Sequence, residues 1–289
     1  MGGRCERHTN EVASGACGCG LVRYLAGRNA IAVSINSIEE ITLQRRLVGE
    51  KRLRYSLDFC RYYHTWYNAT ILTMFPSRPG QRVLDCGCGT GFLLPALEQR
   101  FDTVIGLDLS CENLLEARAL IDPRTALLVG DVSRLPLQPH VFDRIVCRAV
   151  LHCLPDIMPA FRGLFEMLKP GGELVITEPI GDSPLIRAIQ IIVNRRAHRR
   201  YKARQWKYTS CDWIHSAQAA GFTLISRSNV GYLALPLLGY PDGSHLMRYL
   251  PGRMLFAKWL LYLDRFISTV PLLNQHSWHA MFHFKRPDN

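Results

Sequence analysis

Residues 83–91 read Val-Leu-Asp-Cys-Gly-Cys-Gly-Thr-Gly, an apolar run that ends on an acid and three glycines, Gly87, Gly89 and Gly91. A glycine loop between a strand and a helix lets backbone amides approach a ligand closely at the carboxyl edge of a sheet. The spacing is D-x-G-x-G-x-G rather than the G-x-G-x-x-G of dinucleotide sites, with Asp85 two residues before the first glycine. A carboxylate there repels a pyrophosphate and suits a ligand carrying positive charge. Further on, Asp108 closes a second apolar run and Asp131 follows a third. Arg148 and His152 follow a fourth, and Glu178 ends a fifth. His152 has a side chain suited to proton transfer near neutral pH, and Glu178 could touch a substrate or align a base.

These residues need a scaffold that brings them to one edge. From residue 81 the chain alternates short apolar runs, at 82–86, 103–107, 125–129, 141–147 and 173–178, with helical segments at about 91–100, 111–120 and 156–168. That is the pattern of βαβ units and a parallel sheet. A helix over 210–220 leads through Gly221 into a sixth strand, and 276–286 reads as a seventh. Between these two strands runs a long apolar insertion, 231–273. Upstream, Ser37 and Glu40 form a capping box, and a helix over Glu50–Phe75 carries Tyr62, Tyr63, His64, Trp66 and Tyr67.

Five stretches in order, VLDCGCGTG, VIGLDLS, LLVGDVSRLPL, FDRIVCRAVLHCLPD and LFEMLKPGGELVITEP, resemble the motifs of class I S-adenosylmethionine-dependent methyltransferases, more narrowly their small-molecule branch called type 11. The resemblance spans about residues 80–180. It implies a Rossmann-like α/β fold with a seven-stranded, mostly parallel sheet, an N-terminal helical lid and an apolar helical insertion before the last strand. The organisation expected is a poorly ordered leader at 1–33, the lid at 34–76, and a methyltransferase domain at 77–289 with its cap at 231–273. S-adenosyl-L-methionine is the cofactor so implied, and no metal. Asp85 and the amides of Gly87, Gly89 and Gly91 would hold the methionine end, and Asp108 would accept the ribose hydroxyl hydrogens. Leu109 would pack on the adenine face, Asp131 would accept from the adenine amino group, and Val132 would donate its backbone N–H to the ring. Arg148 would meet the cofactor carboxylate or a surface acid. The donor is already activated, so alignment is the protein's main task, worth about 7–11 kcal/mol. A base is optional; His152 and Glu178 are the candidates, each with a packing or loop-bonding alternative.

Composition bounds the rest. With 289 residues, 48% hydrophobic and 20% charged, the chain can bury a sizeable core and is not a disordered polyelectrolyte. Lys258, Asp264 and Arg265 interrupt its most hydrophobic late stretch, so a spanning helix is not expected. The first residues lack an apolar secretory region, so the expected location is cytoplasmic, with a peripheral position at a membrane left open. Ten cysteines without paired C-x-x-C spacing read as reduced thiols rather than a zinc ribbon. The net charge of +11 is local: eight Lys and Arg lie between Asp182 and Asp212 with no acid among them. A basic run of this kind suits an anionic membrane surface, a nucleic acid, or a solvated docking face. Nucleic acid is disfavoured, since residues 147–150 are Cys-Arg-Ala-Val where base-amino methylating relatives carry Asn/Asp-Pro-Pro-Tyr/Phe. The function expected is methyl transfer to a small, hydrophobic acceptor of lipid, isoprenoid, quinone or secondary-metabolite type. The alternatives are an RNA methyltransferase using 187–207 and a non-catalytic cofactor-binding adaptor.

Overall fold

A computed structural model describes residues 23–24, 55–75, 81–135, 137–196, 208–239 and 245–288. The Ser37–Glu40 capping box, nearly all of the expected leader and the basic run from 197 to 207 lie outside these residues.

The strands are β1 (Arg23–Tyr24), β2 (Arg82–Cys86), β3 (Thr103–Asp108), β4 (Ala126–Val129), β5 (Phe142–Arg148), β6 (Leu168–Pro179), β7 (Thr223–Val230) and β8 (His279–Lys285). They form one sheet in the order β1-β4-β3-β2-β5-β6-β8-β7. All pairs are parallel except those of β8, which runs antiparallel between β6 and β7. The seven expected strands are β2–β8, so the mixed α/β, mostly parallel sheet holds. Two details differ. The segment Arg23–Tyr24, within the stretch expected as leader, pairs with Leu128 and Val129 at the sheet edge. β6 begins at Leu168 rather than 173, because Leu168 pairs with Phe142 before the register shifts across Pro170-Gly171-Gly172.

Period-2 alternation sends successive strand residues to opposite faces, and both faces are covered. Val83, Val104, Leu127, Val146, Val175 and Met281 face one layer, built from α1 (Asp58–Thr73), α2 (Leu94–Glu98), α3 (Cys111–Arg118) and α7 (Arg253–Thr269). Leu84, Leu107, Ile145, Leu174, Ile176 and Phe282 face the other, built from α4 (Met158–Met167) and α6 (Ser210–Ala219). Local chemistry starts these helices: the Ser110 hydroxyl accepts from Asn113 N ahead of α3, and Thr209 and Asp212 form a reciprocal capping box at α6. Helix α5 (Pro184–Arg196) follows β6.

The apolar insertion is helical. It contains a π-turn at Leu235–Gly239, a 3-10 turn at His245–Tyr249, α7, and the short α8 (Pro271–Asn274). One buried acid anchors it. Asp264 in α7 accepts backbone hydrogen bonds from Tyr232 (3.0 Å), Leu233 (2.8 Å) and Ala234 (3.1 Å), the residues that leave β7. Burial pushes its carboxyl up from the usual range, and the three amides pull against that. Replacing Asp264 by alanine strands three backbone donors, two of them buried, and is expected to cost about 2–4 kcal/mol. The check is urea unfolding, where the midpoint should fall without a change in slope.

Candidate functional site

The glycine loop leaves β2 at the carboxyl edge. Gly87 N and Cys88 N both donate to Leu107 O, at 2.7 and 2.9 Å, so the loop folds back over the end of β3. Gly87 lies at φ +79°, and a Cβ there would stand 2.4 Å from Val150 Cγ2. At Gly91, also φ +79°, a Cβ would stand 2.6 Å from Ala117 Cβ. Any side chain at either position collides with the loop after β5 or with α3, so both must be glycine.

The acids around this loop have different surroundings. Asp108 at the end of β3 accepts from Gly89 N (2.8 Å), Ser110 N (2.9 Å) and Asn113 Nδ2 (3.0 Å). An ionised carboxylate has about four acceptor positions, so Asp108 braces the loop and keeps one for a ligand. Asp131 forms an Asx turn, accepting from Ser133 N at 2.8 Å and Ser133 Oγ at 2.7 Å. Val132 is buried beside it and Leu109 is half-buried. Asp85 is 1% exposed, and neither of its carboxylate oxygens has a hydrogen-bond partner. Burial pushes its pKa up to about 7; the Arg148 guanidinium opposes this and the Asp108 charge adds to it.

A second group forms where β5 and β6 end. Ala149 takes the left-handed conformation, φ +53°, at an expected cost of about 1–2 kcal/mol for a residue with a Cβ. The turn aims three consecutive amides at Glu178. Oε1 of this fully buried acid accepts from Val150 N (3.0 Å) and Leu151 N (2.8 Å), and Oε2 accepts from His152 N (3.4 Å) and His152 Nδ1 (2.7 Å). Glu178 therefore holds the loop and the ring, while the bond at Nδ1 leaves His152 Nε2 as the atom that can exchange a proton. Burial works against the charged imidazole, but Cys153 and Glu178 outweigh it and raise the pKa of His152 well above the ordinary histidine value.

Helix α1 closes the group from above. Arg148 donates to His64 Nδ1 at 2.6 Å and lies 5.2 Å from the Tyr67 ring centre. His64 Nε2 is 3.1 Å from Gly239 O, so one tautomer, protonated at Nε2, satisfies both contacts. Asn68 Nδ2 donates to Phe92 O at 3.0 Å, just past the glycine loop. Tyr67 OH lies 3.3 Å from His279 Nδ1. Burial, together with the positive charges of His152 and Arg148, pushes His279 down to about 3, so this ring is neutral.

Thus Asp85, Gly87, Gly89, Gly91, Asp108 and Arg148 meet around one loop, Asp131 and Val132 flank it at the end of β4, and His152 and Glu178 form a bonded pair beside it. His279 is the member that sequence reasoning missed. It begins an antiparallel strand, which puts its N-terminal end, opposite Pro179, at the carboxyl edge of the parallel strands. Recognising 276–286 as a reversed strand was the signal available. Of the ten cysteines, the described Cys60, Cys86, Cys88, Cys111, Cys147, Cys153 and Cys211 form no disulfide among the described residues.

Residues 84–176 match the model of a family described as methyltransferase domain. Trans-aconitate 2-methyltransferase of Deinococcus radiodurans is 39% identical over 111 residues, 38% of this chain and 42% of that protein. Ubiquinone biosynthesis O-methyltransferase of Pseudomonas fluorescens is 34% identical over 102 residues, 33% of this chain and 43% of that protein. The chain thus spans about half or less of the length of the curated relatives it matches. In fold it is similar to an S-adenosylmethionine-dependent methyltransferase from Mesorhizobium loti, with TM-score 0.51, 20% identity, and coverage of 75% of this chain and 96% of that one. It is also similar to geranyl diphosphate C-methyltransferase from Streptomyces coelicolor, with TM-score 0.54, 14% identity, and coverage of 77% and 76%.

Asp85 generates a prediction with a definite sign. Its folded-state pKa is raised, so between the ordinary carboxylate range, about 4, and about 7 the folded protein binds more protons than the unfolded chain, and stability falls as pH rises through that window. Above it the full penalty of an unpaired buried charge applies. Asp85→Asn is expected to stabilise the ligand-free protein at pH 8 by on the order of 1–3 kcal/mol, with a smaller gain at pH 5. Urea unfolding at the two pH values is the measurement; a destabilised variant at pH 8 would contradict the account.

Proposed function

We propose that this chain, whose residues 84–176 match the methyltransferase-domain family, binds S-adenosylmethionine along the carboxyl edge of β2, β3 and β4 and transfers the methyl group to a small, hydrophobic acceptor. The observation that carries this reading is Asp85: a buried carboxyl with no protein partner, beneath a loop whose geometry admits no side chain. When bound, S-adenosylmethionine supplies a methyl group activated on a sulfonium. Its ammonium would complement Asp85, and the amides of Gly87, Gly89 and Gly91 would line the methionine end. Asp108 would offer its remaining acceptor position to the ribose hydroxyls, with Leu109 and Val132 against the adenine and Asp131 on its amino group.

The chain's own work is then alignment and proton management. Residues 34–76 would act as the lid, and in its described part Tyr67 and His64 close over Arg148 and exclude water. Arg148 is committed to His64 and Tyr67, which favours a lid-fastening role over direct contact with the cofactor carboxylate. His152 Nε2 would take the acceptor's proton as the new bond to carbon forms, with Glu178 holding the ring as a positioning residue. Cys153 and Glu178 raise the pKa of His152 above the ordinary histidine value, so transfer that needs Nε2 as a base should accelerate as pH rises. A small acceptor is in keeping with the names of two curated relatives, trans-aconitate 2-methyltransferase and ubiquinone biosynthesis O-methyltransferase. The RNA reading rests on residues that mostly lie outside the described ones. A cofactor-binding adaptor would bind without turnover.

Isothermal titration with S-adenosylhomocysteine tests the core of this reading. Asp108→Ala should weaken binding roughly 10–100-fold, the loss of charge-assisted hydrogen bonds. Affinity should rise as pH passes about 7, with a proton released from Asp85 on binding. His152→Gln should lower kcat by roughly 10²-fold or more while leaving the cofactor Kd unchanged. A folded protein that fails to bind S-adenosylhomocysteine would sink the proposal.

A further inference from the structure

Helix α7 buries one face and leaves the other bare. Ala257, Leu260, Leu261 and Asp264 point inward. On the outside Leu255 is 73% exposed, Trp259 54%, Tyr262 73% and Phe266 57%. These positions follow i, i+4, i+7, i+11 and so form a single stripe along the helix. Lys258 and Arg265 are exposed on the same face. Tyr249 before the helix and Leu272 after it prolong the stripe at both ends, each more than three-quarters exposed. Contiguous apolar surface of this kind, bordered by polar groups, marks a site of association.

Its charge says with what. The single acid of α7, Asp264, is buried and held by three amides, so the exposed face carries cations and no anion. A second copy packed on this stripe around a two-fold axis would oppose Lys258 and Arg265 to the same cations, with no exposed acid on α7 to pair them. Trp259 and Tyr262 are the aromatic types that favour a boundary between water and hydrocarbon. Helix α5 repeats the composition: Leu185, Ile189 and Ile191 are exposed there beside Arg187. Both helices border one cleft of about 960 Å³, between Asp182, Ser183 and Pro184 at the start of α5 and Ser268, Pro271 and His276 at the end of α7 and beyond.

We infer that α7, with α5 alongside, is an interfacial membrane-docking surface that lies on a bilayer of anionic phospholipid, its aromatic stripe in the headgroup region and its cations on the phosphates. No described helix is long and apolar enough to cross a membrane, so this is attachment to one leaflet. The surface does not depend on the methyltransferase reading.

The full chain should co-sediment with phosphatidylglycerol–phosphatidylcholine vesicles and far less with pure phosphatidylcholine. Leu255→Ser, Trp259→Ser and Phe266→Ser together should lower the vesicle partition coefficient by roughly tenfold or more, and Lys258→Glu with Arg265→Glu should do likewise. All five side chains are exposed, so circular dichroism and S-adenosylhomocysteine binding should be unchanged, which separates this outcome from failure of the cofactor reading. Three results would overturn the inference. They are no binding of the unmodified chain to the anionic vesicles, a serine variant that binds as tightly as the parent, and a dimer in sedimentation velocity that the serine variant dissolves.

Discussion

The carboxylate of Glu178 governs the carboxyl edge of the sheet. Four donors from residues 150–152 converge on it, and the left-handed Ala149 is what lets them do so. Once that loop is fixed, Val150 stands where only a glycine can face it, so the path of the glycine loop follows. The same constraint sets the His152 ring beside the loop with one nitrogen bonded. A fully buried acid is costly unless saturated, and this one is saturated by the residues whose positions matter.

Comparison of three buried acids separates structure from function. Glu178 collects four donors and Asp264 three backbone amides; each solves its own burial within the fold. Asp85 collects none, and its raised pKa records the unrelieved cost. A fold seldom keeps an unpartnered carboxyl at its centre for stability alone, and functional sites are where such costs concentrate.

The sheet and the loop were legible in the sequence because they rest on local signals. Strand alternation, glycine spacing and acids at strand ends all lie within a few residues of one another, and β2–β8 with Asp85 and Asp108 followed from them. What was not legible depends on long-range placement. Glu178 was readable as a carboxylate near substrate, but its saturation comes from a loop 26–28 residues away in the chain. Arg148 was readable as a cation at a strand end, yet its partner His64 lies 84 residues earlier. His279 was hidden in a strand whose direction pattern alone does not reveal. The stripe on α7 was visible as apolar composition, but which half of those residues faces the core is decided by packing, not by hydrophobicity.

The position of β8 also has a consequence in time. It follows β7 in the chain yet sits between β6 and β7, so among the described strands β7 gains its partner only once β8 has been made. Helix α1, near the other end, packs on α7 and reaches across 195 residues to bond Arg253 through Asp58 and across 212 to bring Tyr67 to His279. It can pack early on residues 92–101, but its contacts with α7 and His279 form only when those later residues have been made. A polypeptide interrupted before β8 would leave β7 and the outer edge of β6 unpaired, open strand edges of the kind that invite association.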